Sequence, residues 1–136
     1  MLQDRLVITQ LAAPKALEQS ANVTSSYADM SGRNYFSFLV QLGVVAQSKK
    51  VTIELLGSNK SSGADAKTIS THEYTAPSGG VTGHLVVIRG KLKPDYRYMA
   101  VKITNNDSSA GTVAAVTLVS SFMYVPDDGD NTVVNV

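Results

Sequence analysis

Cysteine is absent from the 136 residues, and so is tryptophan. Without thiols the chain cannot form a disulfide, a thiolate zinc site, an iron–sulfur cluster or a cysteine nucleophile. Without Trp, the side chain that sugar sites often use as a stacking platform is missing. Six Tyr remain, at 27, 35, 74, 96, 98 and 124. Their spread over separate stretches assigns them to core edges or interfaces. Charge is also scarce, at 17% of residues against about 25% in an ordinary domain. Twelve basic and eleven acidic side chains leave a net charge of +1, so no one-signed field draws nucleic acid or an anionic membrane. No apolar run approaches the roughly 20 residues that span a bilayer. Met1-Leu2-Gln3-Asp4-Arg5 brings an acid early and lacks a basic-then-apolar order, so it does not read as a secretory signal. Synthesis in a cytoplasm is the expectation.

What fills the place of charge is Ser, Thr, Asn, Gly and Ala, which suit strands, turns and surfaces covered by neighbours. The length is that of one domain. Residues 1–22 read as an N-terminal arm with a strand or short helix, because Leu6, Val7, Leu11 and Leu17 make a possible stripe that Pro14 interrupts. From residue 23 the period is that of β structure. Val23–Met30 is a modest strand. Tyr35–Leu42 sets Phe36, Phe38, Val40 and Leu42 on one face, and Val51, Ile53 and Leu55 alternate with polar residues. Thr68–Thr75 alternates in a more polar way, as an edge strand does. Leu85–Ile88 is a continuous apolar run, expected of a strand covered on both sides. Tyr96–Thr104 groups Met99, Val101 and Ile103, and Val113–Tyr124 is rich in β-branched and small residues. Turn chemistry at Ser31–Asn34, Ser58–Gly63, Pro77–Gly80, Lys93–Asp95 and Asn105–Ser108 separates these runs. Seven or eight strands at such spacing predict an all-β fold, a single antiparallel sandwich of jelly-roll or Ig-like type, over residues 23–125. Phe38, Val40, Ile53, Val101, Ile103 and Val116 form its expected core. Residues 126–136 read as an extended tail: Asp127, Asp128 and Asp130 precede an apolar Val133-Val134-Asn135-Val136 end that could dock on a neighbouring chain.

A search for chemistry finds no catalytic set, cofactor site or metal site. His72 and His84 have no metal-binding spacing, and Glu73 beside His72 faces the other way along a strand. The Asp127-Asp128-Gly129-Asp130-Asn131 turn lacks the spacing and closing Glu of an EF-hand and reads as solvated. No nucleophile elbow occurs. Ser78–Gly83 lacks the Lys of a P-loop and opens no helix, so it is a hairpin or crossover loop. Arg89, Lys91, Lys93 and Arg97 lie near Tyr96 and Tyr98. Bases could stack there, but Arg97 and Tyr98 are expected on opposite faces, which favours plain solvation or docking of an acidic protein surface.

The pattern from Ser25-Ser26-Tyr27-Ala28-Asp29-Met30 through Tyr35–Val40, Val51–Leu55, Leu85–Gly90 and Tyr96–Ile103 resembles the small β-sandwich virion proteins of tailed bacteriophages, especially capsid decoration or cement proteins. The resemblance covers residues 23–120 and rests on fold-forming residues, so it transfers no functional residue. It implies a non-enzymatic structural protein of the virion, made in the host bacterial cytoplasm. Such a protein binds the major capsid protein as a homo-oligomer, a trimer being favoured, and engages neither nucleic acid nor membrane. A tail or baseplate location and a glycan-binding module are the alternatives.

Overall fold

A computed structural model describes residues 6–33, 35–91, 93, 95–121 and 132–136. Among the described residues ten strands form two facing sheets. They are β1 (Leu6–Leu17), β2 (Asn22–Thr24), β3 (Ala28–Asp29), β4 (Tyr35–Leu42), β5 (Lys50–Ser58), β6 (Lys67–Thr75), β7 (His84–Lys91), β8 (Tyr98–Asn105), β9 (Thr112–Ser121) and β10 (Thr132–Asn135). Sheet A runs β1-β9-β4-β7-β10 and sheet B runs β2-β8-β5-β6, with β3 also on β8. The orders 1-9-4-7 and 2-8-5-6 are those of two interleaved Greek keys, a jelly roll. Of the two sandwich types expected, the chain adopts this one. All pairings are antiparallel except that of β10 with β7.

Alternation decides what is buried. Phe36, Phe38, Val40 and Leu42 of β4 face Val51, Ile53 and Leu55 of β5 and Met99, Val101 and Ile103 of β8 in one contiguous core. All six residues expected at its centre are fully buried. Phe36 and Phe38 meet edge to face at 5.4 Å, a favoured arrangement of aromatic quadrupoles.

Local departures from the sequence expectation have local causes. The stretch read as strand or short helix near the N-terminus is strand, paired along β9 with register shifts between Gln10 and Ala12 and between Ala12 and Lys15. Pro14 sits inside the second shift, where its missing N–H costs no ladder bond. The single strand expected over Val23–Met30 is two. Ser26 donates its N–H to Leu11 O of the other sheet (3.1 Å), so the chain leaves β8 there and returns at Ala28. Tyr96 and Arg97 precede β8 rather than belonging to it.

Two loops are held by polar side chains. Buried Asn105 donates from Nδ2 to Glu18 O (3.1 Å) and Ala110 O (2.9 Å), tying the β1–β2 connection to the β8–β9 connection. Asp107 accepts from Ser109 N (2.8 Å), Ser109 Oγ (2.7 Å) and Ala110 N (3.2 Å). These bonds, the backbone one from Ser109 first, hold its carboxyl below the usual range. The Pro77–Gly83 segment is a crossover from sheet B to sheet A, one of the two roles expected of it. Gly80, at φ +70°, lies so close to Val45 O that a Cβ would come within 2.8 Å of it.

Candidate assembly surfaces

The cross-strand register assigns each side chain to the core or to an outer face, because direct partners share a face. Phe38 pairs with Ile88 and Leu118 inside, so Leu39, Val87 and Thr117 point out of sheet A. The same rule turns out Ile8 and Val119, Ser37 and Arg89, Gln41, Ala115 and Leu85, and Tyr35 with Lys91. Val87, Ala115 and Ser37 are buried although they face away from the core. Ile8 is 69% exposed. Among the described residues the charged ones on this face are Arg89 and Lys91, both basic and both on β7.

Sheet B turns out a different set: Lys50, Thr52 and Glu54 of β5, Lys102 and Thr104 of β8, and Thr71 and Glu73 of β6. Both signs are interleaved. Lys50 Nζ lies 3.0 Å from Glu73 Oε1, and Asn106 Nδ2 donates to Thr52 Oγ1 at 2.6 Å. This is the surface of a sheet that meets water.

The sheet edges differ as well. β6 carries Lys67 and Glu73, β2 has three residues and β10 four. Charge and brevity are the usual guards of an edge. β1 has twelve residues, and from Leu6 to Pro14 none is charged. Its second half is blunted by the register shifts and Pro14. Leu6–Gln10 is regular, and among the described residues β1 ends the sheet. Beside it, between β1 and β2, runs a groove of about 350 Å³ lined by Leu11, Ala12, Pro14, Val23, Ser25 and Ile103 among others. The Ser25 hydroxyl there is spent on Val101 N–H and Ser26 O.

The remaining sequence candidates fall into three places. His72 lies on β6 and His84 opens β7. His84 stacks on Tyr74 at 4.1 Å and 14°. Burial first, and the neighbouring His72 second, push its imidazole below its ordinary pKa. Spacing carried no signal of the Tyr74–His84 stack, since Tyr74 and His84 belong to strands of different sheets. No group of three metal-ligating side chains occurs among the described residues. The second place is the loop end. Arg97 was expected opposite Tyr98, but its guanidinium lies over that ring, 5.2 Å from the centroid. The alternation argument fails because Arg97 is outside the strand. Arg97 also pairs with Asp29 through Nε (3.2 Å) and Nη2 (3.0 Å). These bonds, with one from Ser31 N, hold the Asp29 carboxyl far below its ordinary value. Ser58 Oγ bonds Asp65 and holds that carboxyl low too, and Asn59 Oδ1 accepts from Arg97 N at 3.3 Å. Lys91 lies 5.9 Å over the Tyr35 ring. Third, the acidic turn Asp127, Asp128 and Asp130, and Tyr124, lie outside the described residues.

These features define a jelly-roll β-sandwich with one charged outer face and one that carries little charge. No protein-family model and no curated protein matches the sequence. Among solved structures the chain is similar to the PBSX exported protein XepA, at 15% identity and a TM-score of 0.56, over 92% of this chain and 41% of that one. It is also similar to a chain in the structure of infectious bursal disease virus Gt strain, at 12% identity and a TM-score of 0.53, over 88% of this chain and 32% of that one. The chain thus spans less than half the length of either. At such identities the likeness is one of fold.

Proposed function

We propose that this chain is a structural protein of a virus particle, of the kind that decorates and cements a phage capsid, and that it attaches through sheet A. The observation that carries the reading is the outer face of sheet A, uncharged apart from Arg89 and Lys91 at one end of β7, running into the unguarded Leu6–Gln10 edge of β1. A soluble monomer gains nothing from an open apolar edge and risks aggregation from it. Four strands about 4.8 Å apart and eight residues long at about 3.3 Å give a face of about 500 Å². A specific interface removes at least about 1,000 Å² in all, so the contact must reach past the centre of the face, where Ser37, Val87 and Ala115 are already buried, onto the exposed Ile8 edge. The partners are the major capsid protein and further copies of this chain in a closed ring, a trimer at a three-fold position being the arrangement we favour. No nucleic acid, membrane, cofactor or catalytic step enters this reading. The similarity to a chain of a virus structure supports the architecture such a role uses.

A tail or baseplate position would use the same surface. Glycan binding is less well served. The rings of Tyr35, Tyr74 and Tyr98 are already covered by Lys91, His84 and Arg97, and Tyr27 and Tyr96 lie against Gly63 and Gly57. Counting copies on purified particles tests the proposal. Many symmetric copies are expected on the shell; a monomer that never copurifies with particles and binds oligosaccharide overturns it.

A further inference from the structure

The charges of the described residues divide along the strand axis. In sheet A, Tyr35 lies level with Lys91 and Ser121. In sheet B, Tyr98 lies level with Ser58 on one side and Asp29 on the other. The short β7–β8 connection joins these strand ends, and Arg97 N in it donates to Asn59 Oδ1 of the β5–β6 connection. The loops 30–34, 59–66 and 92–97 therefore share one end of the sandwich. Arg33, Lys60, Lys93 and Arg97 lie in those loops. Lys67 opens β6, and Arg89 and Lys91 close β7. Seven of the chain's twelve basic side chains are thus gathered at this end, against three carboxylates, Asp29, Asp65 and Asp95. The surplus of four exceeds the net charge of +1 carried by the whole chain. The opposite end holds Lys49 and Lys50 with Glu18, Glu73 and Asp107, and there both cations are paired. Lys49 lies 3.8 Å from Asp107, and Lys50 lies 3.0 Å from Glu73.

A surplus of exposed cations steers an anionic partner and fixes its orientation more than it adds affinity. The basic end is also small. With sheets about 10 Å apart and four strands about 4.8 Å apart, it spans about 200 Å², well below the roughly 1,000 Å² of a specific interface. It is continuous with the outer face of sheet A through Arg89 and Lys91, so one partner can cover both. The tyrosines at this end decide the partner's class. Tyr35 and Tyr98 lie under Lys91 and Arg97, and Tyr27 and Tyr96 lie against Gly63 and Gly57. The end thus presents seated cations rather than open rings on which bases stack. Asp29, Asp65 and Asp95 stand among those cations. They suit a protein surface with separated carboxylates better than a polymer charged at every unit. A second copy is the poorer occupant, since Asp107 and Glu73 at its opposite end already hold Lys49 and Lys50.

We propose that this basic end takes a carboxylate-bearing surface of the partner protein that covers sheet A, and so sets the orientation in which the chain attaches. This rests on the assembly reading above and names the partner's chemistry. The probe is labelled poly-L-glutamate, read by fluorescence anisotropy at about 0.1 M ionic strength. The screening length there, about 10 Å, is shorter than the roughly 26 Å of an eight-residue strand, so the place of a charge matters and not only the total. Lys60→Glu/Lys67→Glu/Lys91→Glu should lose binding at least about tenfold. Lys15→Glu/Lys50→Glu/Lys102→Glu makes the same change in net charge away from this end and should stay within about threefold of the unsubstituted chain. The single variants Lys60→Glu and Lys67→Glu, at exposed positions, cover the case of a triple variant that misfolds and should each weaken binding. Equal losses in the two triple variants overturn the site. So does tighter binding of an oligothymidylate with the same number of charges, which would make the end a nucleic-acid site. A basic-end variant that attaches to purified particles as the unsubstituted chain does overturns the site and leaves the assembly reading standing. An unsubstituted chain that never attaches to particles overturns the assembly reading itself.

Discussion

Sheet A turns Ile8, Leu39, Leu85, Val87 and Val119 outward, whereas sheet B turns Lys50, Thr52, Glu54, Glu73 and Lys102 outward. Both sheets share one core and one backbone geometry, so packing inside does not demand the difference. A sheet face left in water loses nothing by carrying charge, and sheet B does so with both signs paired across strands. A sheet face that will be covered must avoid charge, because an ion buried without a partner costs several kcal/mol. Sheet A meets that condition over most of its width, and its one basic row, Arg89 and Lys91, lies on β7. The contrast teaches that the polarity of an outer face, not of the core, carries information about partners.

The largest effect should come from the part both faces share. Phe38→Ala opens a cavity in the core and should cost about 3–5 kcal/mol in denaturant unfolding, collapsing the distinction between faces because neither retains its platform. A loss under about 0.5 kcal/mol would show that this face of β4 is not inside. Next is the pair of substitutions that separates the faces. Ile8→Glu should weaken oligomerisation or particle binding at least tenfold, about 1.4 kcal/mol, with unfolding stability nearly unchanged. Thr71→Glu on sheet B should leave both untouched. Equal effects from the two would erase the comparison.

Smaller effects concern the ends and rim that join the sheets. Asp107 has a folded pKa below that of the unfolded chain. Its contribution is therefore present above the unfolded value of about 3.9 and is lost as pH falls through the folded one. Asp107→Asn should flatten the acid limb of stability against pH below about 4. His84 has its pKa lowered too, by burial and by His72, so the same sign applies in a higher window. Stability should fall as pH drops below about 6.5 toward the folded value. His72→Gln should move the His84 midpoint upward in an NMR titration; an unmoved midpoint would show that the imidazoles do not interact. The smallest change is at Thr112, whose buried Oγ1 has no hydrogen-bond partner. Thr112→Val should be neutral or stabilising by up to about 1 kcal/mol, read from the melting temperature.

Several elements were legible from residues alone. Tyr35–Leu42 matches β4 at both ends, the polar alternation of Thr68–Thr75 marks a true edge strand, and the six core residues are buried. Period-2 patterning is a local property, so a local reading recovers it. The outer face of sheet A was only half legible. Low charge and the small residues of β9 pointed to covered surfaces, but nothing in the chain said that β1, β9, β4 and β7 lie side by side. Leu39 and Val87 became neighbours only through the register of β4 on β7.

The alternation of apolar and polar residues, together with the turn residues between runs, determined by itself that this chain is an all-β sandwich and which side chains fill its core. The reason is that burial on one side of a strand is written in every second residue. Tertiary structure alone decided that the sandwich is a jelly roll, that His84 stacks on Tyr74, that Arg97 covers Tyr98, and that Val136 seats beside Gly90 of β7. Those outcomes depend on strand order and on which loops share an end of the molecule, and contacts between distant segments leave no period in a sequence.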